Sequence, residues 1–258
     1  MPQFICVCLN LYIISVYLTN QLHPMAQPPQ QSGAAALETF QGKMMLNMPG
    51  TIMFCGHRKT GLKQLMRLLV EYVLDRPQAA EEAEDLYVEI YLSSPDPLWT
   101  SIKDGRKDSR INIFTPSYGS EVSMSSTTIK RLADGQKPKS HLIVVIDDSV
   151  NIWNREIWHL LASRAADYNI TCLLYCSQAL PEKMKFIEDT VNAVAIPWFI
   201  SPESRTAVYK VFATCFGKEE EWEEHYKRIT AAGSAVVIEY KGSVVTAYGV
   251  KLPLAEKS

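Results

Sequence analysis

The chain has 258 residues, 47% of them hydrophobic, which suits one α/β core of about 200 residues with tails. A net charge of −2 and a pI near 6.2 exclude a globally basic footprint, so any nucleic-acid contact has to be local or shared among subunits. The six cysteines (6, 8, 55, 172, 176 and 215) form no CxxC pair and the five histidines show no metal-ligand spacing, which points to free, buried thiols in a reducing compartment rather than a zinc site.

Phe4 to Leu18 is largely apolar, about 15 residues against the roughly 20 of a spanning helix, and Met1-Pro2-Gln3 lacks the basic lead of a secretory signal. It reads as a translated stretch upstream of a start at Met25, as a weak membrane anchor, or as an apolar tail. Met25 to Thr39, rich in Pro, Gln, Ser and Ala, reads as a flexible leader. The chain therefore divides into a leader, 1–40, and a folded domain, 41–258.

Thr51 to Cys55 (TIMFC) reads as a buried strand ended by Gly56. Apolar residues at 62, 65, 66, 69, 70, 73 and 74 then have helical spacing. After an acidic connector, Leu86 to Leu92 (LYVEIYL) predicts a second strand, followed by the Ser-Ser-Pro-Asp-Pro turn. Residues 101–139 are polar and read as a solvated loop region, with Ile111 to Phe114 a short strand. Eight Lys or Arg residues there face four acids, a local excess of +4 that a DNA-facing surface would also show. Leu142 to Ile146 (LIVVI) and Ile170 to Cys176 (ITCLLYC) are apolar enough for central parallel strands, with a helix predicted over 153–168 between them. Ala193 to Ile200 predicts a further strand. Ser201 and Pro202 read as N-cap and first helical residue of a helix of about fifteen residues, and Glu219 to Ile229 as an acidic helix. Two runs around Lys241-Gly242-Ser243 predict a closing hairpin. Strands alternating with helices predict a P-loop NTPase-like α/β fold: a mostly parallel sheet with helices on both faces and a C-terminal β-hairpin.

Three motifs carry chemistry. Gly56-His57-Arg58-Lys59-Thr60-Gly61 supplies a GxxxxG frame between strand and helix, where backbone N–H groups can converge on phosphate. An active loop would continue Lys then Ser or Thr, but Leu62 and Lys63 follow. The magnesium hydroxyl is missing and the lysine stands one residue late, a rotation of about 100° on a helix. Second, Leu142 to Asp147-Asp148 is a buried strand ending in two carboxylates, the hhhhDD form of a Walker B. The first suits Mg²⁺ and the second suits polarising a water. Third, Ser177-Gln178 closes the next buried strand, where an amide can both donate to and accept from a reacting water or phosphate. The nucleotide site requires that the strand ends after Cys55 and Ile146, expected to be neighbours, converge on one pocket; ends far apart or on opposite edges of the sheet would exclude it.

In order and spacing the chain resembles the poxvirus-type genome-packaging ATPases of large DNA viruses, within the FtsK–HerA group. The likeness covers roughly residues 43–250 and is most specific over 142–212: LIVVIDDSV, LASRAADYNIT, CLLYCSQALPE and NAVAIPWFISPESRTAVYKVF. The lead-in Asn47-Met-Pro-Gly and the turn Tyr91-Leu-Ser-Ser-Pro also match. The resemblance gives Asp147 and Asp148 the Walker B roles, with Asp147 on the metal, and Gln178 the sensor role. By the same resemblance Arg164 falls near a family arginine that is a candidate for charge stabilisation, within a site or across a subunit interface; here its neighbours are Ser163 and Ala165, and a helix-terminal cation is an equal reading. The resemblance further implies ATP and Mg²⁺ as cofactors, a homo-oligomeric ring, double-stranded DNA and viral capsid or membrane proteins as partners. The implied location is the host cytoplasm, a viral factory or the virion. Against an active motor stands a degenerate, non-hydrolysing relative used for assembly or DNA attachment, motivated by Leu62 and Lys63. A nucleotide kinase is disfavoured, because the helix at Glu219 to Glu224 is acidic where a lid would be arginine-rich.

Overall fold

The computed structural model describes residues 40–44, 48–57, 60–75, 86–106, 108–116, 124–134, 140–147, 160–161, 163–177, 191–197, 200–231, 233–241 and 244–252. Residues 1–39 and half of the predicted 153–168 helix lie outside them. The strands are β1 (Gly50–Cys55), β2 (Leu86–Leu92), β3 (Ile111–Phe114), β4 (His141–Asp147), β5 (Ile170–Cys176), β6 (Val191–Ile196), β7 (Ser234–Lys241) and β8 (Val244–Lys251). Between them run α1 (Leu62–Asp75), α2 (Pro97–Arg106), α3 (Ser126–Asp134), α4 (Pro202–Val208) and α5 (Glu219–Thr230). One eight-stranded sheet has the order β3-β2-β4-β5-β1-β6-β7-β8. The first six strands are parallel, while β7 and β8 are added antiparallel.

Side-chain alternation along the strands sorts two cores onto the two faces. Met53, Val144, Ile146, Cys172 and Leu174 lie on one face, against Phe212, Trp222 and Tyr226. Ile52, Phe54, Ile143, Val145, Leu173 and Tyr175 lie on the other, against α1 and against Trp99 and Ile102 of α2. Both faces being covered is why β4 and β5 read as continuous apolar runs. By the same parity Asp147 follows Ile143 and Val145 and belongs to the face that carries α1.

Three expectations need correction. Residues 101–139 are not a plain loop region: α2 extends to Arg106 and α3 spans Ser126–Asp134. Neither has a long apolar stripe, because α2 buries only Trp99 and Ile102, while α3 buries the polar Thr128 and Arg131. The strand expected over 193–200 runs instead over Val191–Ile196, with Pro197, which has no N–H to give a ladder, just past its end. The ends of β1 and β4 are not adjacent either, since β5 lies between them. At Ser201 the expected cap is present: its side chain accepts from Ser204 N, with Pro202 opening the helix. A π-turn over Tyr209–Ala213 and a 3-10 turn over Thr214–Phe216 extend α4 to the expected length.

Candidate functional site

The C-terminal ends of β1, β5 and β4 form one side of the sheet's rim, and the glycine loop leaves from the first. Gly56 N donates to Cys176 O at 2.9 Å, and Tyr175 Oη donates to Gly56 O at 2.7 Å, so the loop's first residue is fastened to β5. A Cβ on Gly56 would stand 2.6 Å from Pro197 Cδ, which is why that position takes only glycine. Thr60 N and Thr60 Oγ1 both donate to His57 O, at 3.0 and 2.6 Å. Gly61 has φ 80°, a left-handed conformation that suits glycine, and its carbonyl accepts from Leu65 N at 2.9 Å. α1 thus begins at Leu62, and its first amides, with no carbonyl one turn back, face the rim as the positive end of the helix. Arg58 and Lys59 lie outside the described residues.

The one-residue displacement of the lysine has a definite geometric result. Leu62, where an active loop has lysine, is fully buried among the apolar side chains of the α1 face. Lys63, one step round the helix, extends past the Tyr175 ring, 5.3 Å from its centroid, to the end of β4. Its ammonium is 2.7 Å from Asp147 Oδ2 and 2.8 Å from Asp96 Oδ2. β1 and β4 are two strand spacings, about 10 Å, apart, so the long lysine side chain is what closes the gap across β5.

Asp147 is 3% exposed. Its Oδ2 also accepts from the Trp99 indole Nε1 at 2.8 Å, whereas Oδ1 is buried with no hydrogen-bond partner among the described residues. Burial pushes the carboxyl above its ordinary range, opposed by the charge of Lys63 and by the hydrogen bonds from Lys63 and Trp99. A carboxylate oxygen taken out of water without a donor is costly, and it suits a divalent cation, which Mg²⁺ sites commonly hold by one or two carboxylates plus phosphate oxygens. The described residues contain no cluster of three or more acids, histidines or cysteines that would make a self-sufficient metal cage. A single carboxylate such as Asp147 fits a cation whose other ligands are phosphate oxygens and water.

Asp148 and Gln178 lie outside the described residues. Arg164 does not join the rim. It precedes β5, with Asn169 in a left-handed conformation at the entry, and so sits at the opposite end of that strand, about 20 Å away for seven residues at 3.3 Å each. It is exposed and bonded to Asp167 at 2.9 Å. Sequence reasoning missed Trp99 and Asp96. The signal was present in Asp96-Pro97, an N-cap residue followed by a first-turn proline, which places Trp99 one turn into a helix directly after β2.

A strand–loop–helix unit opening onto the rim of a mostly parallel sheet, with one strand between it and an acid-tipped strand, defines a P-loop NTPase-like fold. No protein-family model matches the chain, and no curated protein matches it. Among solved structures, it is similar to B204, the DNA-packaging ATPase of Sulfolobus turreted icosahedral virus, at 12% identity over 78% of this chain and 98% of that one, with a TM-score of 0.49. It is similar at 11% identity to the genome-packaging NTPase B204 of Sulfolobus turreted icosahedral virus 2 in complex with AMPPCP, over 77% of this chain and 96% of that one, TM-score 0.46. The cytoplasmic domain of the type VII secretion ATPase EccC of Thermomonospora curvata is similar at 9% identity, over 79% of this chain and 25% of that one, TM-score 0.47. No helix among the described residues is long and apolar enough to cross a membrane.

Proposed function

We propose that this chain is a Mg²⁺-dependent ATPase, with its nucleotide across the C-terminal ends of β1, β5 and β4, and that it works as a ring-forming motor that drives double-stranded DNA into a viral capsid. One observation carries the nucleotide site: Lys63 and Asp147 meet at 2.7 Å across an intervening strand, while the second oxygen of Asp147 is buried with no hydrogen-bond partner among the described residues. An ammonium has three N–H donors. Two are engaged by Asp96 and Asp147, which leaves one for a phosphate oxygen at the N-terminus of α1.

In this reading Gly56 and Gly61 let the loop backbone approach the phosphates, with His57, Arg58, Lys59 and Thr60 between them, and Leu62 seats the helix behind. Bound Mg²⁺ would supply charge neutralisation on the phosphates, with Asp147 Oδ1 as its protein ligand. Asp148 would orient the attacking water and Gln178 would sense it, both roles coming from the resemblance. Arg164, at the far end of β5, can serve only a neighbouring subunit's site. The DNA substrate, the ring, the capsid or membrane partners and a virion or viral-factory location rest on the family likeness of residues 142–212.

Purified protein should hydrolyse ATP only with Mg²⁺, at a motor rate of order 1–100 per second, and Asp147→Ala should abolish turnover. Turnover indifferent to Asp147→Ala would overturn the site.

A second reading, a non-hydrolysing assembly or DNA-attachment protein, is favoured by a specific observation: Lys63 is already neutralised by two carboxylates and no hydroxyl stands at position 62 or 63. Nucleotide binding without turnover would select it.

A further inference from the structure

Two residues outside the three motifs, Trp99 and Asp96, hold the carboxyl of Asp147 and the ammonium of Lys63. Past Leu92 the chain turns through a Ser-Ser-Pro segment into α2, and Asp96 caps that helix. Its Oδ1 accepts from Leu98 N at 2.9 Å, and its carbonyl accepts from Trp99 N and Thr100 N. The other oxygen of the same carboxylate receives Lys63 Nζ at 2.8 Å. α2 is tied to α1 independently, because one guanidinium nitrogen of Arg67 donates to Leu98 O at 3.2 Å and to Ser101 Oγ at 3.0 Å. The cap, and hence Asp96, is therefore fixed relative to Lys63. Trp99, fully buried under α1, then brings its indole N–H to Asp147 Oδ2.

The terminal torsion of an aspartate is broad and nearly two-fold, so by itself the carboxyl has no preferred oxygen. Two donors converging on Oδ2 remove that freedom. One comes from a rigid ring that cannot follow a rotated carboxyl, the other from an ammonium restrained by Asp96. Oδ1 is the oxygen left over.

We propose that Trp99 and Asp96 are positioning residues of the nucleotide site. Trp99 holds Asp147 so that Oδ1 alone is offered to the cation carried by a triphosphate. Asp96 holds Lys63 so that its remaining N–H points to phosphate. The inference rests on the nucleotide-site reading above, and neither residue touches the nucleotide in it.

The test is the affinity of the full chain for a fluorescent ATP analogue, measured in EDTA and in Mn²⁺, for wild type, Trp99→Phe, Asp96→Asn and Asp147→Asn. Trp99→Phe keeps an aromatic ring and loses the N–H. It should leave metal-free affinity within about twofold and cut the Mn²⁺ enhancement about tenfold, the scale of one hydrogen bond to a charged group. A general packing defect would weaken both affinities alike, and that result overturns the role of Trp99, as does an unchanged enhancement. Asp96→Asn removes a negative charge near the phosphates, which by electrostatics alone would tighten binding. The positioning role requires the opposite, metal-free affinity weaker by several-fold, and tighter binding overturns it. Asp147→Asn separates the two levels. If it abolishes the enhancement while Trp99→Phe and Asp96→Asn do nothing, only the positioning claim falls; if it also leaves the enhancement intact, the nucleotide site itself is wrong.

Discussion

Lys63 on α1 and Asp147 at the tip of β4 form an ion pair of 2.7 Å although their parent strand–helix unit and strand are separated by β5. The pair is nearly dry, at 15% and 4% side-chain exposure. It joins the glycine loop to the acidic strand end.

Removing one partner of such a pair leaves the other charge buried, at a cost of about 3 kcal/mol. Lys63→Met should therefore lower unfolding free energy by about that amount. Lys63→Met combined with Asp147→Asn should recover much of it, since no lone buried charge remains. Urea unfolding of the four species in a double-mutant cycle measures this. Additive losses would mean the two side chains are not energetically coupled.

A second buried carboxylate ties the sheet to a helix. Glu89 on β2, 3% exposed, accepts from Tyr91 Oη at 2.6 Å, Ser125 Oγ at 2.7 Å and Thr128 Oγ1 at 2.5 Å, which pins the start of α3 to the sheet. Glu89→Leu removes the acceptor of three hydroxyls, those of buried Tyr91 and Thr128 and of half-buried Ser125, at about 1 kcal/mol or more each. It should cost at least about 3 kcal/mol, whereas Glu89→Gln, which keeps an acceptor, should cost less. Equal losses would contradict the hydrogen-bond account.

The central strands were legible in the sequence because both of their faces are buried, which leaves continuous β-branched runs. The cap at Ser201 was legible because its chemistry is local. The position of β5 between β1 and β4 was not, since strand order depends on crossovers that leave no local trace. α2 and α3 were hidden because their inward contacts are an indole, a threonine and an arginine rather than an aliphatic stripe. Arg131, for example, is buried by donating to Ser140 O at 2.8 Å and to Ser140 Oγ at 2.7 Å. Within the site, the departure at Leu62 and Lys63 was visible in the sequence, but where Lys63 would then point depended on the neighbouring strands.

Thiol reactivity should follow burial. Cys172 is fully buried and burial pushes its thiol far up; Cys55 is likewise raised, first by its hydrogen bond with Cys176 and then by burial. Cys215 is exposed, though burial of part of its side chain raises it somewhat. Among Cys55, Cys172, Cys176 and Cys215, site-resolved alkylation of the native chain should label Cys215 first and Cys172 last, and denaturation should erase the order. Rapid labelling of Cys172 in the native protein would contradict the packing of β5.

Arg164 lies at the far end of β5 from the rim, so Arg164→Ala should leave nucleotide affinity of a single protomer unchanged. If it acts on a neighbour's nucleotide, turnover of the assembled ring should fall by about a thousandfold, the scale of an arginine supplied in trans. Equal turnover of the assembled wild type and variant would leave Arg164 as a surface cation bonded to Asp167.

Calorimetric titration of ATP into the full chain, with and without Mg²⁺, tests the central claim most directly when wild type is compared with Lys63→Met and Asp147→Asn. The expected result is one site per chain, strengthened by Mg²⁺ in wild type. Lys63→Met should weaken it in both conditions, and Asp147→Asn should make it indifferent to Mg²⁺. No heat of binding in wild type, or binding that neither substitution alters, would contradict a nucleotide site at the Lys63–Asp147 pair.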